Sequence, residues 1–362
     1  MKTEIVPKRR RFLKIIAGLG GGLALSGILG NKAFAVPPFS GPKSDHFDGE
    51  KFFNPFMDAA QKDRGFLDVL KWQFGREEPK GYWPEFIDDV KQIVPEQRVA
   101  NGEIRATFVN HATVLLQVDG LNIITDPVFS ERVSPFSFAG PKRHRAPGVA
   151  LKDLPPIDLI LLSHNHYDHC DLDSLHEIAR RDNPVIFTAL ANKAFLNREG
   201  FKKVKEFDWW QGDAFKNIRV TAVPAQHFSG RSLADRNYAL WCGFMLETSQ
   251  GNIYFAADTG YCPVFKEIGE RFKNIKLALI PIGAYKPRWF MAPVHVGPEE
   301  AVKIHLDVGA QESIAIHFGT FNLADEGEGE AEKDLLKELQ KPENSSVKFF
   351  ALKNGESYSI KG

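Results

Sequence analysis

Six consecutive residues, His164-Asn165-His166-Tyr167-Asp168-His169, stand directly behind the apolar run Ile157-Asp158-Leu159-Ile160-Leu161-Leu162-Ser163. An uninterrupted apolar run of this length reads as a strand buried on both faces, and α/β proteins place their chemistry beyond the ends of such strands. Two histidines one residue apart at a strand end can turn their imidazoles toward one cation, while Asp168 and His169 on the following turn face a second. A lone histidine is usually a hydrogen-bonded surface or core residue. Three histidines and an aspartate within six positions are better explained as metal ligands. Two fully ligated metals need more donors than these four. Further candidates stand where other apolar runs end: His227 after Val220-Thr221-Ala222-Val223-Pro224, Asp258 after Ile253-Tyr254-Phe255-Ala256-Ala257, and His317 after Ile314-Ala315-Ile316. One pattern, apolar strand then ligand, thus recurs and places seven residues along one rim of a sheet assembly.

The rest of the chain fits such an assembly. Ile104 to Phe108, Val114 to Val118 and Leu121 to Thr125 read as antiparallel strands, the last two joined by the hairpin dipeptide Asp119-Gly120. Beyond them short apolar runs alternate with amphipathic helices near 172–180, 193–199, 299–306 and 335–339. Strands buried on both faces need helices to cover them, so the expected architecture is α/β, two mixed sheets flanked by helices. Residues 96–362 form this catalytic domain. Residues 36–95 are an aromatic-rich extension (Phe52, Phe53, Phe56, Trp72, Phe74, Trp83, Phe86) expected to pack on it, with interfacial lipid contact as the minority reading.

Residues 1–35 read as an export signal. Lys8-Arg9-Arg10-Arg11-Phe12-Leu13-Lys14 precedes the uncharged stretch Ile15 to Gly30 and the small-residue triplet Ala33-Phe34-Ala35, and the twin-arginine-like core suggests export to a periplasmic or membrane-associated destination in a bacterium, with an uncleaved N-terminal anchor as the alternative. The 362 residues carry 46 Lys plus Arg and 46 Asp plus Glu, so no basic surface invites nucleic acid. The basic loop Lys142-Arg143-His144-Arg145 is a candidate for anionic lipid. Cys170, Cys242 and Cys262 lack metal-type pairing and read as small buried hydrophobes. His111 reads as an outer-layer or structural group, Asp126 as a carboxylate that orients a ligand, and His46, His176 and His305 as packed or exposed.

The ligand run, together with Thr125-Asp126-Pro127, Gly140-Pro141-Lys142-Arg143, Asp208-Trp209-Trp210, Asp258-Thr259-Gly260-Tyr261-Cys262-Pro263, Pro287-Arg288-Trp289-Phe290-Met291 and Ala315-Ile316-His317-Phe318-Gly319-Thr320-Phe321, resembles the metallo-β-lactamase superfamily. More narrowly it resembles the N-acylphosphatidylethanolamine-hydrolysing phospholipase D family. The resemblance implies the αββα sandwich and two zinc ions per chain. It assigns His164, His166 and His227 to one ion, Asp168, His169 and His317 to the other, and Asp258 as the carboxylate bridging them and holding the attacking water. Tyr167 and His295 would contact the phospholipid head group, and the mechanism expected from this is that they orient it or help protonate the leaving alkoxide. The implied reaction releases an N-acylethanolamine and leaves phosphatidic acid. A phospholipid substrate, peripheral membrane contact and a homodimer are implied as partners. Two departures accompany it: Val294 stands where the mammalian enzyme has an amide, and Asn110 stands where a glycine usually precedes His111-Ala112-Thr113. A lactonase-like ester hydrolase or a broader phospholipid diesterase on the same fold remains the alternative.

Overall fold

The computed structural model describes residues 35–57, 68, 71–72, 75, 79–100, 102–232 and 234–361. The segment expected to be an export signal lies, up to residue 34, outside the described residues. Among the described residues the chain forms two seven-stranded sheets. The first contains β1 (Glu103–Asn110), β2 (Thr113–Val118), β3 (Leu121–Thr125), β4 (Leu159–Leu162), β5 (Val185–Ala189) and β6 (Val204–Phe207) in chain order. The second contains β7 (Gly212–Phe215), β8 (Ile218–Val223), β9 (Gly243–Thr248), β10 (Gly251–Phe255), β11 (Ile275–Pro281), β12 (Glu312–Ile316) and β13 (Phe349–Phe350). The C-terminal strand β14 (Ser357–Lys361) returns to the first sheet and pairs antiparallel with β1.

Each sheet has three antiparallel junctions followed by three parallel ones. Four of the six antiparallel junctions are tight hairpins (β1–β2, β2–β3, β7–β8 and β9–β10). At the β2–β3 connection Asp119 and Gly120 both have positive φ (53° and 72°), the conformation that a two-residue turn of this hand demands and that Asp-Gly supplies at low cost. The parallel half needs crossovers, which bring helices α1 (Leu172–Asp182), α2 (Asn192–Arg198), α3 (Val264–Arg271), the one-turn α4 (Arg288–Met291), α5 (Pro298–Val308) and α6 (Glu330–Leu339). All four residues of β4 are buried, as an apolar run covered on both faces requires, whereas the edge strand β14 exposes alternate residues. The core joins both sheets, with Leu115, Leu161, Phe187, Phe244 and Phe255 fully enclosed. Fully burying one such side chain contributes roughly 1.5–3 kcal/mol.

The described part of the extension packs on this core. Phe39, Phe47 and Phe52 cluster at centroid separations of 4.8–5.4 Å. His46 lies between Asp45 and Asp208 and stacks on Trp209 at 4.4 Å. Trp72 and Trp83 donate through their indole N–H groups to Asp325 Oδ2 and to the Glu326 carbonyl. Most of the basic loop is committed to contacts within the protein, with Lys142 half-exposed and paired with Glu131. Arg143 is 7% exposed and donates to the carbonyls of Ser130 and Val128, Arg145 is paired with Asp89 and Glu328, and the His144 ring reaches the Pro84 carbonyl. These cations are spent on closing loops against each other. The three cysteines are free and buried, as expected.

Candidate metal centre

The donors stand just past strand ends, where side chains leave the sheet and the backbone must turn sharply. His111 follows β1, Asp126 follows β3, His164 lies two residues past β4, and His317 follows β12. His111, Asp126 and His317 have φ of 46°, 31° and 61°. Left-handed backbone is unfavourable for such residues and persists only where surrounding contacts over-determine it, a condition common at functional sites. Close backbone approach adds to the packing. A Cβ on Gly283 would meet the His317 carbonyl oxygen at 2.1 Å, so only glycine lets the chain leaving β11 pass beside that ligand turn.

The structure brings all seven sequence-derived donors together, in two groups. His164 Nε2 and His166 Nδ1 are 2.9 Å apart, and His227 Nε2 is 3.2 Å from the same His166 nitrogen. On the other side Asp168 Oδ2 lies 3.4 Å from His169 Nε2 and 3.3 Å from His317 Nε2. Asp258 Oδ2 stands between the groups, 3.1 Å from both His169 Nε2 and His317 Nε2 and 3.7 Å from His227 Nε2. Tetrahedral ligands about 2.0–2.1 Å from a zinc ion lie roughly 3.3 Å from one another. The observed spacings therefore fit two neighbouring metals sharing one carboxylate. His169 Nε2 and Asp258 Oδ1 are buried without a hydrogen-bond partner, another sign that a cation is what this donor set accommodates.

Outer contacts orient the donors. Asp126, fully buried, accepts from His169 Nδ1 at 2.7 Å and from Ser163 Oγ at 2.6 Å, and Ser163 Oγ is 2.9 Å from His164 Nδ1. One carboxylate thereby sets the ring of a histidine in each group. His227 donates through Nδ1 to the Val294 carbonyl at 3.0 Å. His111 comes closer than the sequence suggested. Its Nε2 is 3.1 Å from Asp168 Oδ2 and its ring lies 4.1 Å from that of His317, so it forms one cluster with Asp168, His169 and His317.

Burial and mutual repulsion hold His164 and His227 well below the usual histidine range, and burial brings His166 down to about 4. At His169 and His317 burial also opposes charge, but Asp258 and Asp168 outweigh it. His317 is raised to about 9 and His169 well above its ordinary value. The same histidines keep the Asp168 and Asp258 carboxyls well below theirs despite burial. These directions favour neutral imidazole at His164, His166 and His227 and carboxylate at Asp168 and Asp258, the states that bind metal, whereas His169 and His317 would give up a proton on binding one.

His295 sits on the turn between α4 and α5, its Nδ1 3.9 Å from Asp258 Oδ2 and its ring 5.0 Å from that of His227. Arg288 fixes this turn, donating to the His295 carbonyl and to Glu300 Oε2. Tyr167 lies at the mouth of the pocket, but its hydroxyl donates to the Arg231 carbonyl at 2.9 Å and its ring lies beneath the Arg231 guanidinium at 4.0 Å. Arg231 also donates to the carbonyls of Asn165 and Cys170, both 2.9 Å away. No motif announced Arg231; it braces the ligand run purely through the third dimension. Above the polar floor of His166, Asp168, Asp258, His295 and His317, the pocket is walled by Val133, Phe228, Ala284, Met291 and Leu323.

Residues 121–318 match the family profile described as a beta-lactamase superfamily domain. Fold and donor set together define a metal-dependent hydrolase of the metallo-β-lactamase class. The N-acyl-phosphatidylethanolamine-hydrolyzing phospholipase D 1 of Caenorhabditis elegans is 41% identical over 262 residues, 69% of this chain and 73% of that protein. The mitochondrial N-acyl-phosphatidylethanolamine-hydrolyzing phospholipase D of Saccharomyces cerevisiae is 41% identical over 245 residues, 66% of this chain and 52% of that protein. The chain belongs to this phospholipase D family within the metallo-β-lactamase superfamily. The fold alone is shared with the isothiocyanate hydrolase from Delia radicum gut bacteria, at a TM-score of 0.57 and 21% identity over 71% of this chain and 99% of that one.

Proposed function

We propose that this protein is a binuclear zinc phosphodiesterase of the phospholipase D type, hydrolysing N-acylphosphatidylethanolamine-like lipids to N-acylethanolamine and phosphatidic acid. The observation that carries this reading is the shared Asp258 Oδ2 at the floor of a pocket with apolar walls. A polar, two-cation floor suits a phosphodiester, and an apolar collar suits the acyl chains around it. The names of the Caenorhabditis and yeast relatives support the same lipid class. The expected export signal would put the reaction in the periplasm.

His164, His166 and His227 would hold one zinc and Asp168, His169 and His317 the other, with Asp258 between them. When bound, the pair supplies positive charge to the phosphoryl oxygens and a water made nucleophilic near neutral pH. Asp258, whose Oδ1 is free of protein partners, would accept a hydrogen bond from that water. Burial lowers His295 to about 4, so the ring is neutral at physiological pH. That favours head-group positioning by hydrogen bonding over proton donation to the leaving alkoxide. Tyr167, its hydroxyl already committed to Arg231, would meet the head group through its ring.

The test is to present zinc-loaded protein with a panel of phosphodiester lipids in micelles and to identify products by mass spectrometry. N-acylethanolamine and phosphatidic acid are the expected products. Free choline or ethanolamine released without an N-acyl requirement would replace the reading with a broader diesterase, and lactone turnover without diester cleavage would replace it with an ester hydrolase.

A further inference from the structure

Val36 makes a contact that its place in the chain renders unusual. Its backbone nitrogen donates to Asp235 Oδ2 at 2.8 Å, with Val36 2% and Asp235 0% exposed. Among the described residues the other donors to Asp235 are uncharged: the Arg231 backbone N–H at 3.1 Å, and the Ser232 N–H and Oγ at 2.7 and 2.8 Å. A buried carboxylate is costly without a cation and much less so with one in hydrogen-bond geometry. Val36 directly follows Ala33-Phe34-Ala35, the small-residue pattern at which export signals are cut. Ala35 is only partly buried, its carbonyl held by Arg198 at 2.9 Å, so the Ala35–Val36 bond lies where the chain enters the fold.

We infer that the chain is processed between Ala35 and Val36, and that the new α-ammonium of Val36 forms a buried ion pair with Asp235 that braces the metal-centre loop. A signal peptidase breaks the C–N bond with water, which leaves a carboxylate on Ala35 and an amine on Val36. With a free pKa of about 8, the amine takes a proton from solvent at neutral pH. No new geometry is required, since the nitrogen already stands 2.8 Å from Asp235. Pro37 and Pro38 stiffen the new terminus and reduce the entropy lost in docking it. Asp235 holds the backbone of Arg231 and Ser232, while Arg231 grips the carbonyls of Asn165 and Cys170 and covers Tyr167. Removal of the signal is in this way coupled to the ligand run.

The experiment is to produce the full chain in an export-competent bacterium and to compare the exported protein with a cut-blocked Ala35→Leu chain. The readouts are mass and thermal midpoint, so failure of the phosphodiesterase reading leaves them untouched. Intact mass should place the exported N-terminus at Val36. The uncut chain should melt about 5 °C or more below the processed one, and Asp235→Asn should abolish that difference. A different N-terminus, equal melting of the two chains, or a difference that survives Asp235→Asn overturns the inference. Should the Asp235 variant fail to accumulate, amine-reactive labelling decides: the Val36 amine of folded processed protein should react at least about tenfold more slowly than after unfolding in urea. Equal labelling overturns the ion pair.

Discussion

Asp258 is the one donor whose carboxylate oxygen approaches both histidine groups, and its removal should separate chemistry from folding. Asp258→Asn keeps the shape but halves the ligating charge. Turnover should fall by more than the roughly 10–100-fold typical of outer-contact changes, with circular dichroism unaltered; a variant that retains activity would sink the two-metal account. Asp126 and His111 act one layer out. Asp126→Asn breaks the acceptor for His169 Nδ1 and should cost about 10–100-fold in metal affinity, read by competition with a chromophoric chelator. For His111, alanine removes the group 3.1 Å from Asp168 Oδ2, while glutamine can return a donor near the same place. Alanine should weaken one metal by a similar factor and glutamine should restore most of it. Loss of both metals equally would mark His111 as purely structural.

At the scale of elements, the crossover helices keep the strand ends in place. Helix α5 begins with Pro298 at its first turn, Glu300 accepts the Gly297 N–H at 3.0 Å, and Gly309 closes it in the left-handed conformation at φ 67°. The same Glu300 accepts from Arg288, which joins the cap of α5 to the turn carrying His295. On the other side of α5, His305 is buried and lies 2.7 Å from Ser313 Oγ through Nδ1, which ties the helix to β12 ahead of His317. Burial lowers His305 to about 4. The folded state therefore favours the neutral ring, so this contribution is complete above about pH 6.5 and is lost as pH falls toward 4. It amounts to at most about 3 kcal/mol. In His305→Asn, thermal midpoints measured across that window should decline less steeply than in the wild type.

For the molecule as a whole, the metal centre is also the seam between the two sheets. The first sheet supplies His164, His166, Asp168 and His169, and the second supplies His227, Asp258 and His317. Metal bound there would therefore cross-link the two layers. Ligand binding stabilises the folded state by about 2.7 kcal/mol when the free ligand is 100 times its dissociation constant. Chelation should accordingly lower the melting temperature of the metal-loaded protein, and zinc should restore it. An unchanged midpoint after verified metal removal would show that the sheets do not depend on the seam.

How much of this was legible beforehand divides along physical lines. The ligand run after β4 is local: an apolar strand and the six residues behind it are contiguous, so periodicity and residue type expose both. The Asp119-Gly120 hairpin is local for the same reason. Strands β6 and β7 are not legible in the sequence because their signal is mixed, with exposed and half-buried positions interrupting the apolar pattern. Tertiary structure decided what no short segment encodes. Lys142 to Arg145 read as a surface charge run until the partners of Arg143 and Arg145 in distant loops turned it inward. For Tyr167 the sequence pointed to a head-group contact, but not to Arg231, 64 positions away, whose carbonyl takes its hydroxyl. By itself the sequence determined which residues could bind metal, because ligand chemistry belongs to the side chain. Which of them share a cation, and what holds each ring in place, depended on how the two sheets face one another, because convergence is a property of the packed layers.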